Sequence, residues 1–352
     1  MTTQPTNQRA GAILGLAAAA LFGVSAPVAK VLLGGIPPLL LAGLLYVGAA
    51  AGLWAHRLVR PPTTEAGLVR ADVPKLAGLV VSGGLVGPVL MLLGLSRVSA
   101  LTGSLLLNLE APFTMLLAVA LFREHLGRHA LVASMFILAG AVVLNLSPGE
   151  LGVNAGGVLL LAGACAAWAL DNNLTQRLTL KDPFAIVRVK TLVAGTVNTT
   201  LGLMASHGAR PDARLVAGAL LLGSLSYGLS VVLDAYALRF VGAAREAAYF
   251  ATAPFVGALT SVVVLGEPLG ALDLVAMGCM ALGAALLVRE RHGHTHRHDP
   301  MEHEHQHVHD EHHRHDHGPL DPPGEPHAHP HRHATLVHDH PHVPDAHHRH
   351  RH

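Results

Sequence analysis

Ionisable side chains stand inside several long apolar stretches of this sequence, where no bulk water can hydrate a charge. Asp171, Lys190 and Asp234 each lie within such a stretch, and Glu110 lies in another, two residues before Pro112. A charged group at membrane depth is costly unless it is paired or faces a water-filled cavity, so such residues commonly mark the path of a solute or an ion. The sequence therefore predicts a polar site inside a membrane.

Asp171 begins a run of polar residues with Asn172 and Asn173, which together occupy most of one helical turn. At least one of them must then face protein or water. Asp171 is a candidate site for a proton, a cation or the cationic group of a substrate. The alternative is that the run begins the cytoplasmic end of the helix and is simply hydrated.

Lys190 and Asn198 are eight positions apart. This spacing separates them by about 80° around a helix, so both can line the same wall of a cavity. Lys190 is predicted to pair with Asp171 or to bind a substrate carboxylate, unless it extends to the lipid headgroups. Asp234 is a candidate proton carrier, and the alternative is an ion pair with one of the arginines that follow it.

The tripeptide Ala-Pro-Phe occurs twice, with its prolines at Pro112 and Pro254. A proline inside a helix removes one backbone hydrogen bond, and the opened helix can turn backbone groups toward a cavity. We therefore include both prolines in the predicted site. The alternative for Glu110 is that it stabilises the positive end of a helix dipole. Glu124 and Glu267, which follow the two tripeptides, are predicted to hold helix ends.

The elements that must position these residues are membrane-spanning helices. Apolar residues make up 51% of the chain and charged residues only 13%, too little charge for the surface of a water-soluble protein of this length. The apolar residues are concentrated in runs of about 20, the length that a helix needs to cross a bilayer. Ten runs are predicted, at residues 10–33, 38–57, 75–95, 101–122, 129–147, 155–176, 184–206, 214–238, 246–266 and 270–289.

The lysines and arginines between the runs predict the orientation, because they are retained on the cytoplasmic side. One alternating set of segments contains thirteen of these residues, and the opposite set contains three, Arg97, Arg210 and Arg214. We therefore predict a multi-pass protein of the cytoplasmic (inner) membrane with both termini in the cytoplasm.

The repeated Ala-Pro-Phe and the glutamate that follows each copy predict two related halves. Five runs in each half is an odd number, so the halves must lie in opposite orientations, an arrangement typical of secondary transporters. The predicted fold class is an all-α integral membrane protein with ten transmembrane helices. It comprises a cytoplasmic N-terminus at 1–9, inverted five-helix repeats at 10–147 and 148–289, and a disordered tail at 290–352.

Five short motifs resemble the drug/metabolite transporter superfamily in its EamA-type ten-helix form. The resemblance extends over residues 10–289, and the motifs lie at residues 108–113, 122–124, 168–173, 253–255 and 265–267. It implies two five-helix repeats around a central cavity that moves small organic metabolites, often outward. It does not indicate a particular substrate, because members of the superfamily differ widely in cargo.

The tail contains 23 of the 27 histidines of the chain, mostly at alternate positions. Its polarity and its lack of apolar periodicity predict disorder. Imidazoles among carboxylates are good ligands for Zn²⁺, Ni²⁺, Co²⁺ or Cu²⁺. We therefore predict that the tail binds such metals through a set of residues that includes His294, His296, His298, His303, His305, His307, His309, His313, His315 and His317.

The predicted function is a secondary transporter, an exporter or exchanger of a small organic metabolite, with proton coupling available through the buried carboxylates. Two alternatives stay open: a carrier of a transition metal, and a metal-responsive membrane sensor or scaffold. The sequence contains no nucleophile–base pair, phosphate-binding loop or cofactor motif, so neither an enzyme nor a required cofactor is predicted. The predicted partners are the lipid bilayer, a small-molecule substrate and metal ions at the tail, but not nucleic acid. A homodimer is left open.

Overall fold

A computed structural model of the chain describes residues 5–59, 66–122, 128–144, 146, 155–178, 181–206, 211–241, 243–289 and four short segments of the tail. The described residues before position 145 form α-helices α1 (Pro5–Gly23), α2 (Ser25–Leu32), α3 (Pro38–Val59), α4 (Val73–Leu79), α5 (Gly87–Leu95), α6 (Ala100–Leu106), α7 (Glu110–Phe122) and α8 (Arg128–Leu144). Those from 155 to 289 form α9 (Ala155–Thr175), α10 (Pro183–Ala205), α11 (Ala213–Gly223), α12 (Ser230–Val241), α13 (Ala243–Phe250), α14 (Ala253–Leu265) and α15 (Ala271–Arg289).

These helices form a membrane protein. Within the described part of the chain, seven helical stretches are long and apolar enough to cross a bilayer, and two further apolar helices, α8 and most of α15, are shorter. The helices begin and end within a few residues of the predicted apolar runs. Large apolar side chains such as Leu58 and Val263 are mostly exposed, as expected for helix faces that contact lipid.

Helices α3 and α10 lie against each other at the centre of the fold. Glycines on both helices allow their backbones to approach, because a side chain at any of these positions would collide with the neighbouring helix. A β-carbon at Gly43 would lie 2.3 Å from the backbone nitrogen of Thr199, and one at Gly202 would lie 2.5 Å from the α-carbon of Leu40. Helices α8 and α15 pack along each other at a second such contact.

The other extensive helix contacts mostly connect the two halves of the chain. Helix α1 packs on α12, and α5 packs on α9. Helix α11 packs on α3, α14 packs on both α1 and α6, and α7 packs on α9. Each half therefore contributes helices to one common core rather than forming a separate bundle.

Two π-helical segments interrupt the helices, Val80–Val86 between α4 and α5 and Ser224–Leu229 between α11 and α12. Such segments are rare and are often found at functional sites. Two other breaks precede the prolines of the repeated tripeptide. A 3₁₀ turn at Leu107–Leu109 separates α6 from α7, and α13 ends three residues before α14 begins. A proline displaces the carbonyl four residues before it, which accounts for a break at each place.

The turn between α5 and α6 is held by two side chains from distant parts of the chain. The Lys30 ammonium donates hydrogen bonds to the carbonyls of Leu95 and Val98, at 2.6 Å each. The Glu267 carboxylate accepts from the backbone N–H groups of Ala100 and Leu101, at 2.7 Å each. A cation at a helix C-terminus and an anion at a helix N-terminus both interact favourably with the helix dipole.

The contacts of Glu267 confirm the prediction that this residue holds a helix end, whereas Glu124 lies outside the described residues. We expect the substitution Glu267→Gln to lower the free energy of unfolding by about 1–2 kcal/mol, because an amide offers only one acceptor oxygen and no charge to the two N–H groups. The melting temperature of the purified Glu267→Gln variant in detergent, compared with that of the unsubstituted protein, measures this loss of stability. Glu304→Gln in the tail makes the same chemical change and is the control. Equal melting temperatures for the two variants would contradict the assigned role.

The described segments of the tail form four strands. β1 (His292–His298) pairs antiparallel with β4 (Leu336–His342), and β2 (Met301–His307) pairs antiparallel with β3 (His327–His333). This backbone differs from the predicted disorder because a period of two in the sequence also matches the alternation of a strand. A two-stranded ladder alone is marginally stable in water. The side chains of these strands, and all of His309, His313, His315 and His317, lie outside the described residues.

Candidate functional site

An ion pair between α9 and α10 forms the centre of the candidate site. The Lys190 ammonium donates to Oδ2 of Asp171 at 2.7 Å. Only 16% of the lysine side chain and 8% of the aspartate side chain are exposed. A buried ion pair loses most of its hydration, and removing one partner leaves an uncompensated charge. The pairing is one of the two roles predicted for Lys190.

The second carboxylate oxygen of Asp171 is fully buried and has no hydrogen-bond partner among the described residues. Gly83, in the first π-helical segment, lies directly against this carboxylate: a β-carbon there would be 2.2 Å from Cγ of Asp171. The missing side chain at position 83 therefore makes room for the carboxylate. An unsatisfied oxygen in an apolar interior is destabilising, so holding the carboxylate in this position has an energetic cost.

The π-helical segment also presents its backbone carbonyls to neighbouring side chains. The Gly83 carbonyl accepts from the Tyr46 hydroxyl at 2.8 Å and from Nε1 of Trp168 at 3.2 Å. The Gly84 carbonyl accepts from the amide of Asn198 at 3.2 Å. Buried carbonyls need such donors. Asn198 was predicted to line a cavity wall, and in the structure its amide binds this backbone beside the ion pair.

Glu110 lies next to the ion pair through its contact with Asn172. Its Oε1 accepts from the Asn172 side-chain amide at 2.7 Å, and Asn172 follows Asp171 directly. Glu110 is also the first residue of α7, so its position is compatible with both of its predicted roles. Pro112 is buried two residues further along the same helix. Four of the predicted residues, Glu110, Asp171, Asn172 and Lys190, therefore meet in one cluster.

Two predicted residues do not join the cluster. The carboxyl of Asp234, in α12, lies close to the Glu246 carboxyl in α13. The side chains of Arg239 and Arg245, its predicted alternative partners, lie outside the described residues. Pro254 is the second residue of α14. Asp234 therefore lies in the helix before α13, and Pro254 lies just after the break that follows α13.

Aromatic side chains beside the ion pair were not predicted as part of the site. The Tyr46 ring lies 5.9 Å from that of Tyr227, which lies 5.6 Å from that of Phe22, centroid to centroid. Together with Trp168 they form an apolar wall next to charged groups, a combination typical of small-molecule sites. At the π-helical segment the sequence shows only the adjacent glycines Gly83 and Gly84, a pair that is also usual where membrane helices pack closely.

The cluster offers acids, an amine, amides and aromatic faces, which can bind and release a charged solute without breaking covalent bonds. Among the residues whose side chains the structure describes, no group of three or more His, Cys, Asp or Glu residues is placed to hold a metal ion.

Comparison with known proteins gives a consistent family assignment. The family model described as the EamA-like transporter family matches residues 9–146 and 155–289. The chain is 28% identical over 289 residues to an uncharacterized transporter of Methanothermobacter thermautotrophicus, covering 77% of this chain and 84% of that protein. It is 26% identical over 265 residues to the uncharacterized inner membrane transporter YedA of Escherichia coli K12, covering 73% and 83%. A protein of known crystal structure has the same fold, with a TM-score of 0.60 and 20% identity over 79% of this chain and 96% of that one.

Proposed function

The chain belongs to the EamA-like transporter family and is a multi-pass membrane transporter, and from this premise we propose that it carries a small organic metabolite across the cytoplasmic membrane. Transport is outward or by exchange and is driven by the proton gradient. The observation that carries the proposal is the buried Asp171–Lys190 pair with its unsatisfied carboxylate oxygen. Charged groups kept inside a membrane protein at this energetic cost commonly serve a solute pathway.

We further propose that ten spans form two inverted repeats, at 10–147 and 148–289, with both termini in the cytoplasm. The family model matches each half separately. The third span of each half contains a π-helical segment, and the fourth contains a break before the Ala-Pro-Phe proline. Features repeated at equivalent positions support a duplicated unit.

The helix contacts support the same proposal. Under an exchange of halves, the α1–α12 contact corresponds to the α5–α9 contact, and the α1–α14 contact corresponds to the α7–α9 contact. The α3–α10 and α8–α15 contacts each correspond to themselves. This is the pattern expected of a pseudo-twofold axis, and substrate sites of inverted-repeat transporters lie between the repeats near the bilayer midplane.

Residues of both halves form the candidate site, as expected of a substrate site that lies between two repeats. Asp171 and Lys190 belong to the second half, whereas Tyr46, Gly83 and Glu110 belong to the first. A site shared by both repeats changes its geometry when one repeat moves relative to the other. That relation allows the same groups to face the two sides of the membrane in turn.

For the tail, we propose that its histidines bind Zn²⁺, Ni²⁺, Co²⁺ or Cu²⁺ and thereby sense or buffer the metal on the cytoplasmic side. The support is the alternation of imidazoles and carboxylates in the sequence. In this proposal the metal regulates the transporter and is not its cargo.

Metabolite profiling of cells with and without the gene tests the proposed function. We expect at least one small organic solute to accumulate in the medium of expressing cells, and we expect this export to be lost with Asp171→Asn expressed at an equal level. The same cultures grown in low and high zinc or nickel test the tail: the exported amount should change with metal for the full chain. Metal efflux without any organic solute would instead favour the metal carrier, and no change in any solute would favour a sensor.

A further inference from the structure

Histidines lie opposite histidines in both antiparallel strand pairs of the tail, β1–β4 and β2–β3. In each strand pair, three histidines of one strand are the register partners of three histidines of the other. The partners are His292 and His342, His294 and His340, His296 and His338, His303 and His331, His305 and His329, and His307 and His327. The backbone of the tail therefore arranges twelve histidines as six opposed pairs.

This pairing depends on the register of the strands as well as on the alternation of histidines along each strand. A slip of one residue would place His294 opposite Pro341 or Asp339 instead of His340, because such a slip exchanges the two faces of a strand. The register is also the same in both strand pairs, since the partners of β2 continue those of β1 without a shift. A single alignment therefore opposes the histidines in both strand pairs.

The opposed histidines of each strand pair share one face of it. Residues two positions apart on a strand lie on the same face, and so do residues directly opposite each other. Opposed β-carbons are about 4.5–5.5 Å apart, and the next pair on that face follows about 7 Å further along the strand. The other face holds residues of a different kind, for example Glu302 opposite Arg332. Two neighbouring pairs therefore place four histidines within one small patch.

Four imidazoles are a suitable ligand set for a tetrahedral divalent ion. Structural Zn²⁺ sites are almost always four-coordinate, and imidazole nitrogen is one of the usual ligands. The three pairs of one strand pair supply six imidazoles, which is enough for one such site and too few for two. An isolated pair of strands is marginally stable in water, so an ion bound across both strands would contribute its binding free energy to their pairing.

We propose that each strand pair of the tail binds one Zn²⁺ through four histidines from two neighbouring opposed pairs, and that the ion holds the strands in register. This inference rests on the metal binding that we propose for the tail, and it adds the location and the number of the ions. Any two neighbouring pairs include the middle one. The middle pair is His294 with His340 in β1–β4, and it is His305 with His329 in β2–β3.

Two variants that lose equal numbers of histidines test this pairing. The first replaces the opposed histidines of β1 and β4 by glutamine, and the second replaces those of β1 and β3. The first set is His292, His294, His296, His338, His340 and His342, and the second set is His292, His294, His296, His327, His329 and His331. The first variant keeps the β2–β3 pairs intact, whereas the second removes one partner from every pair.

The number of tightly bound ions is measured by titrating each full-length protein in detergent with zinc chloride in competition with a colorimetric chelator. A chain that ends at residue 289 is the blank. We expect about two ions for the unsubstituted protein, about one for the first variant and none for the second, because each site requires opposed pairs. The melting temperature should be the same for all of them, which verifies that the helical part is folded.

The two variants separate failure of this inference from failure of the proposed metal binding. Equal zinc contents in the two variants would show that the tail binds zinc as a flexible chain. That result would overturn the paired sites and leave the proposed metal binding intact. An unsubstituted protein that holds no more zinc than the blank would refute the metal binding of the tail itself.

A distance measurement tests the register independently. Nitroxide spin labels at Thr295→Cys and Asp339→Cys mark directly opposite positions on the face that lacks the paired histidines. Cys165 and Cys279 are replaced by alanine so that only these two positions react. With zinc present we expect one short, narrow distance between the labels, and we expect it to be lost in the first variant. A broad distribution for the histidine-containing protein in zinc would contradict the proposal.

Discussion

Neutralising Asp171 or Lys190 singly is expected to destabilise the folded protein by about 3–5 kcal/mol, because each substitution leaves the other charge buried without a partner. Neutralising both together should recover most of that loss. Asp171→Asn and Lys190→Gln together leave two neutral amides and no buried charge between α9 and α10. The effects of the two substitutions on stability are thus expected to be strongly non-additive, as is usual for residues that contact each other.

Transport should respond differently from stability in this double-mutant cycle. If the ion pair serves only packing, the double variant should recover export together with its melting temperature. If the pair belongs to the solute site, the double variant should be folded and inactive. Thermal unfolding in detergent and solute export in cells, measured on the four members of the cycle, distinguish these outcomes. Additive losses of stability would contradict the direct pairing of the two side chains.

Placing a methyl group at position 83 is expected to have the second largest effect. The new β-carbon of Gly83→Ala would lie 2.2 Å from Cγ of Asp171 and 2.4 Å from its Oδ2, so either the carboxylate or the π-helical segment must move. Overpacking of this kind costs about 1–3 kcal/mol. Because displacement of the carboxylate also breaks its contact with Lys190, we expect transport to be lost.

A second glycine provides a matched control for this substitution. A β-carbon at Gly278 in α15 would meet no atom within 4 Å. Gly278→Ala should therefore be neutral or stabilise the protein by up to about 1 kcal/mol, through the higher helix propensity of alanine. Both variants are compared by melting temperature and by export. Normal export by Gly83→Ala would show that the close approach at this position is not required for function.

The helices could be predicted from the sequence because each apolar run is about 20 residues long, enough to cross a bilayer, and ends near prolines, glycines or charges. The side of each helix that packs against the rest of the protein could not be predicted. A helix that is apolar all round carries no periodic signal for the side that faces the protein. Asp171 and Lys190 were predicted as partners because they are rare charges in neighbouring runs, whereas the contact of Tyr46 with Gly83 depends on the rotation of α3.

Asp234 shows the same limitation. Its carboxyl lies close to that of Glu246 in the next helix, a neighbour that the spacing along the chain does not indicate. The π-helical segments were also beyond the reach of sequence patterns. A glycine pair in an apolar run is usual in closely packed membrane helices, and nothing in its composition marks the wider turn that frees the carbonyls of Gly83 and Gly84.

The hydrogen bonds of Lys30 and Glu267 at the turn between α5 and α6 restrict how the nearby helices can move. Lys30 extends from α2 and Glu267 from the segment before α15, so three chain segments are tied together at one membrane face by four hydrogen bonds. We therefore expect their outer ends to move together. The π-helical Val80–Val86 segment lies further along the same span, so we expect any bending of that span to fall there, beside the carboxylate of Asp171.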